Sequence, residues 1–284
     1  MKGSIHTITR AAFSFTLLAV LSLSVPLQTL AQEKAPAGKE KDGIKLGLGA
    51  NQIIKKMEAQ MRADTNYSEM TMEVHNPNWD RPRSYSMRAW EDRKEEKSFI
   101  RITAPPRDKG KAFLKEGNVF KVYIPTEREN KPITIPPSLM LQPWMGSDFT
   151  YDDMVKESSI IEDYEQTIEK VEKTDKGKLV QVRLDPRPEA PVVWGMLRIW
   201  VNLDNMLPTK WEYYDEEGVK TRVMKLSEVE EMDGRKVPTR WEMTSLDEDK
   251  EGNKTVLMIE EMKFNLEIPE DTFTEKNLTR RDWE

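Results

Sequence analysis

Apolar and polar residues alternate with a period of two along most of this chain. Met70, Met72 and Val74 alternate with Thr71 and Glu73, and Tyr85, Met87 and Ala89 alternate with Ser86 and Arg88. Ile100 and Ile102 flank Arg101 before Pro105-Pro106 stops the run. This period predicts strands with one face toward a core. Residues 111–114 and 119–124 predict a hairpin turned at Glu116-Gly117-Asn118. Further strands are predicted over residues 164–173, 179–184, 192–202, 208–215, 219–228, 236–246 and 254–265. Their connections carry turn residues: Asp175-Lys176-Gly177, Asp215 to Gly218, Met232-Asp233-Gly234 and Glu251-Gly252-Asn253. Such spacing predicts one antiparallel sheet of about ten strands or more, which curls rather than staying flat.

Two stretches depart from this period. Ile53, Ile54, Met57 and Met61 recur at helical spacing and predict an amphipathic helix over residues 50–64 with one apolar stripe. Residues 136–145 form an apolar loop between prolines that neither period explains. Ser147 or Asp148 is placed to cap a short helix running through Met154, with Asp152 and Asp153 in its first turns.

One helix of about four turns cannot fill the concave face of so long a sheet. The interior either closes on large side chains or stays partly open for a ligand. The strand phases name Met72, Val74, Met87, Ile100, Ile102, Leu114, Ile199 and Val201 as candidate apolar contacts, and a one-residue slip would exchange faces. Fifteen methionines follow Met1. Their flexible thioethers suit a surface that accepts variable apolar partners, or an irregular core. Leu139, Met140, Leu141, Trp144 and Met145 are candidates for a lid or partner loop at a cavity mouth, the alternative being a loop folded onto the core. Arg101 is either a polar anchor inside the cavity or an outward side chain paired with a glutamate.

The N-terminus changes the picture of location. Lys2 and Arg10 precede an apolar run from Ala11 to Val25, and Thr29-Leu30-Ala31 offers small residues for cleavage before Gln32. The apolar core is shorter than the ~20 residues of a membrane span. Residues 1–31 are therefore expected to be a signal peptide, 32–49 a Lys/Glu/Gly/Pro-rich linker, and 50–284 a single domain free in the periplasm. Loss of Lys2 and Arg10 takes the net charge from −6 to −8, which makes nucleic acid an unlikely partner. With no cysteine, there is no disulfide framework, thiolate metal site, cysteine nucleophile or lipid-bearing N-terminal cysteine.

Candidate chemistry is sparse. His75 is the sole histidine after the expected signal, too few for a zinc site. No G-x-S-x-G run is present, and Gly47-Leu48-Gly49 is too short for a phosphate loop. Asp148, Asp152 and Asp153 lack the alternate spacing of a calcium loop. Glu270 and Asp271 are one acidic pair among 50 acidic residues and carry no signal of their own. Neither an enzyme nor a cofactor is expected.

Several stretches together resemble a known family. Ser98-Phe99-Ile100-Arg101-Ile102, Pro105-Pro106, Gly110, Ala112-Phe113-Leu114 and Tyr123-Ile124-Pro125 are similar to a recurring stretch of exported proteins. So are the run Met145 to Asp153 and Tyr213-Tyr214-Asp215 with Gly218. From about Ala50 onward the chain resembles the outer membrane lipoprotein-sorting proteins of the LolA/LolB-like superfamily. The resemblance implies an unclosed, strongly curved antiparallel β-barrel capped by helices, with an apolar cavity for acyl chains. It also implies a carrier of lipoprotein acyl chains or other lipid, served by an inner-membrane exporter of the RND or ABC type, and no catalytic residues. A monomer is expected. A protein-interaction or sensing module of the same fold is the alternative.

Overall fold

A computed structural model describes residues 46–125, 131–155, 160–175, 177–190 and 192–281. The expected signal peptide and most of the expected linker lie outside the described residues. Leu46, at the linker's end, is buried in the core, and Leu48 packs against it.

Among the described residues the first element is α1 (Ala50–Met61), followed by six strands in a meander. These are β1 (Thr65–His75), β2 (Arg83–Asp92), β3 (Lys97–Ala104), β4 (Ala112–Glu116), β5 (Val119–Tyr123) and the short β6 (Ile133–Thr134). A crossover follows, with single 3-10 turns at Pro137–Leu139 and Trp144–Gly146 and the helix α2 (Tyr151–Val155). A second meander comprises β7 (Tyr164–Thr174), β8 (Gly177–Pro186), β9 (Met196–Asn202), β10 (Leu207–Tyr214), β11 (Lys220–Met232), β12 (Arg235–Ser245) and β13 (Lys254–Phe264). A last short helix, α3, spans Glu275–Leu278.

All thirteen strands join one sheet in the order β6-β5-β4-β3-β2-β1-β13-β12-β11-β10-β9-β8-β7. The first and last long strands meet at its centre, with Met72 opposite Leu257 and Val74 opposite Thr255. β6 and β7 are the two edges and do not pair, so the barrel stays open. The expected mainly β, unclosed antiparallel architecture is the observed one. The expected strands are present, except that the stretch from Val192 joins the sheet only at Met196.

The inner face carries the main core. Side chains from both meanders, α1 and Trp144 belong to one buried cluster, which requires the sheet to wrap around the helix and the crossover. α1 lies over the second meander and buries Ile53, Ile54 and Met57. Its C-terminal carbonyls are satisfied by Arg235, which donates to Ala59 O at 3.1 Å and Arg62 O at 2.9 Å. The helix ends three residues before the predicted boundary, at Met61.

A second core lies on the outer face of β3–β5, where the C-terminal segment covers Phe99, Ala112, Leu114 and Tyr123 with Phe273 and Leu278. This corrects two expectations. Leu114 points away from the interior, because β4 is buried on both faces and alternation cannot set its phase. Arg101 is also outward, yet buried, and its guanidinium donates to the carbonyls of Arg280 (3.0 Å) and Asn277. It is a latch for the C-terminal segment rather than a cavity anchor. Burial, with Arg280 nearby, pulls its pKa down to about 10.

Candidate functional site: an apolar cavity under the first helix

The crossover supplies one wall of the interior. Trp144 is 1% exposed and meets Phe113 edge-on at 5.3 Å between ring centroids. Its backbone N–H donates to Phe149 O at 2.7 Å, and Ser147 Oγ donates back to Trp144 O at 2.6 Å. Met145 turns the chain with φ 54°. Trp144 is therefore core, which corrects its place in the expected lid. Met140 and Met145 are partly buried against the core, whereas Leu139 and Leu141 are 44% and 55% exposed.

The acidic residues of the same run are structural ties. Asp148 accepts from the Thr255 hydroxyl at 2.7 Å, fastening the crossover to β13. Burial raises the Asp148 pKa above its ordinary value. Thr150, not Ser147 or Asp148, caps α2: its N–H and hydroxyl donate to Asp153 Oδ2 at 2.7 and 2.9 Å, while Asp153 N–H donates to Thr150 Oγ1. Asp153 also receives two hydrogen bonds from Arg222 of β11, at 2.7 and 3.0 Å. Burial opposes the charge of Arg222, but Asp153 outweighs it and the pKa is raised. Arg222 stacks under Trp194 at 4.3 Å and Tyr213 at 4.8 Å. Among the described residues, no group of three or more His, Cys, Asp or Glu is placed to hold a metal ion.

Between α1, α2 and β9–β12 lies a cavity of about 190 Å³. α1 contributes Met57 and Met61, and the crossover contributes Phe149, Met154 and Ile160. The sheet contributes Trp211, Tyr213, Met224, Leu226, Trp241 and Met243, while Trp194 closes the side before β9. The register explains the wall: Ile199 faces Trp211, Trp211 faces Met224, and Met224 faces Met243 across adjacent strands. Gly195 lets the backbone beside Trp194 approach β10, since a Cβ there would lie 2.2 Å from Asp215 O. A second cavity of about 190 Å³ adjoins it through Arg62, Asp153 and Met154, and is lined by Asn66, Ser68 and Lys115 together with Trp90, Ile100 and Met262.

None of the eight candidate acyl contacts lines the apolar cavity. Met72, Val74, Met87, Ile102, Ile199 and Val201 are packed in the core, Ile100 lines the adjoining second cavity, and Leu114 faces outward. The inner face of the first meander is packed with Trp144 and its own side chains, and the open space lies against the second meander, under α1. Sequence reasoning missed Trp194, Trp211, Trp241 and Met243, because an inward strand position does not by itself tell a cavity wall from packed core. No helix among the described residues is long and apolar enough to cross a membrane.

An open antiparallel sheet of this kind is shared with solved structures that include a LolA superfamily protein. Residues 94–280 match a family model described as "-like: Uncharacterized protein", and the chain belongs to that family. No curated protein matches the sequence. Among solved structures, a DUF1329 family protein from Desulfovibrio piger superposes with a TM-score of 0.70 at 18% identity, covering 81% of this chain and 97% of that one. A putative outer membrane lipoprotein-sorting protein domain from Vibrio parahaemolyticus gives 0.69 at 20% identity, covering 81% and 98%. A LolA superfamily protein from Nitrosomonas europaea gives 0.65 at 21% identity, covering 80% and 98%. The resemblance read from the residues is thus borne out as a likeness of fold.

Proposed function

We propose that this protein is a non-enzymatic periplasmic carrier that shelters acyl chains of a lipoprotein or a related lipid in the cavity beneath α1. The observation that carries the reading is an interior space walled by methionine and tryptophan under a helix. The fold likeness to lipoprotein-sorting proteins supports it. Transfer of acyl surface from water supplies roughly 0.8 kcal/mol per methylene. At about 190 Å³ the cavity is smaller than the ~300–1,000 Å³ of a typical ligand site, so loading requires a wall to move. α1 is the movable wall, since the crossover is tied to β11 and β13 and the remaining wall is hydrogen-bonded sheet. Release then requires a partner that favours the emptied state.

Native mass spectrometry of protein isolated from the periplasm tests this. Bound acylated species are expected; a protein that stays at its bare mass, also after incubation with acylated lipoprotein, sinks the reading.

Exposed Val119, Ile133, Leu139 and Leu141 on β5, β6 and the first crossover turn favour a second element of function. They are proposed as the contact for an inner-membrane exporter of the RND or ABC type, or, in the alternative of a pure interaction module, for a membrane-protein partner. In the module, capture of the partner persists with an empty cavity. The double variant Leu139→Ser/Leu141→Ser should weaken partner capture in either case.

A further inference from the structure

Tyr164 opens β7 and is fully buried, and its hydroxyl has no hydrogen-bond partner. The indole Nε1 of Trp211 on β10 is likewise buried without a partner. Both residues line the apolar cavity. Tyr213, on the same strand as Trp211 and also on the cavity wall, has its ring 6.3 Å from that of Trp211. A buried donor left unpaired is costly, and native proteins rarely keep one without a use. Trp144 Nε1 is also unpartnered, but it lies in packed core against Phe113 and not on the cavity.

Resting on the carrier reading above, we propose that Tyr164 and Trp211 form a polar seat for the ester carbonyl of a fatty acyl chain. The cavity's hydrocarbon wall takes the chain, and the two donors fix its depth. The chemistry selects a neutral acceptor over a carboxylate for two reasons. Glu58, Asp152 and Asp153 outnumber Arg62 along the lining, and Arg222 beneath Tyr213 is already engaged by Asp153. The ligand class is therefore an acyl ester of glycerol, whether it comes from a lipoprotein or from a phospholipid.

A matched pair of probes isolates the carbonyl: dioctanoylglycerol and its dioctyl ether analogue, which has no carbonyl. Wild-type protein should bind the ester about tenfold more tightly than the ether, the value of a buried hydrogen bond near the upper end of the usual range. Tyr164→Phe, which keeps the ring, should bring that ratio close to one, and Trp211→Phe should reduce it. The empty Tyr164→Phe protein should melt at the same temperature as wild type or higher, because it loses an unpaired hydroxyl. An unchanged ester preference in Tyr164→Phe, a fall in its melting temperature, or equal binding of octanoate and the ester overturns the polar seat. Wild-type protein that binds neither the ester nor the ether overturns the carrier reading itself. A diacylglyceryl-cysteine peptide and phosphatidylethanolamine separate the sources: the cargo is the one whose affinity falls in Tyr164→Phe, a fall with both fixes recognition at the ester alone, and a fall with neither overturns the seat.

Discussion

Two side chains in the crossover have opposite consequences. Trp144 fills the core against Phe113, so Trp144→Ala should cost about 3–5 kcal/mol by the usual measure of a large buried truncation. Leu141→Ser, at an exposed position of the same loop, should leave the urea midpoint almost unmoved. Equal midpoints for the two variants would contradict the packing described for Trp144. Asp148 gives a pH signature instead. Burial raises its pKa in the folded protein above the ordinary 3.8, so the folded state holds the proton more tightly than the unfolded chain. The stability from this group is complete below 3.8 and is lost as pH rises through the raised value. Asp148→Asn keeps an acceptor for Thr255 and removes the charge. Its midpoint should gain on wild type at pH 7 relative to pH 3.5; a gain at the lower pH instead would reverse the assignment.

At the scale of elements, the outer face of β3–β5 depends on the latch that Arg101 makes with the carbonyls of Asn277 and Arg280. Arg101→Ala should speed amide exchange across residues 270–281 and spare β9–β12. Protection lost evenly through the sheet would mean that the latch supports the whole core. Elements of this kind mark where the sequence is readable. Alternation located nearly every strand because most strands bury one face, as β8 does with Val180, Val182 and Leu184 inside. It failed at β4, where Ala112, Phe113, Leu114 and Lys115 are all buried and no phase remains to read. It also failed for the cavity. Trp211 and Met243 look like any inward strand residue, and the space before them exists only because α1 and the crossover stop short of filling it. That is a property of packing between distant segments, and a period along the chain does not encode it.

Across the described residues one sheet wraps α1 and the crossover, and on the carrier reading proposed above its stability should report on bound lipid. A ligand that binds only the folded state adds about 2.7 kcal/mol at a concentration one hundred times its Kd. Dioctanoylglycerol should raise the melting temperature of wild-type protein in proportion to the logarithm of its concentration, and a flat response would contradict enclosure of the acyl chains. The meeting of β1 with β13 at the centre of the sheet has a further result. Synthesis runs from the N-terminus, so β1 keeps an unpaired edge until the last long strand has been made. The sheet thus cannot be completed until β13 (Lys254–Phe264) has been delivered, and a product cut short before Lys254 would leave a naked strand through the middle of the protein, open to sticking to its neighbours.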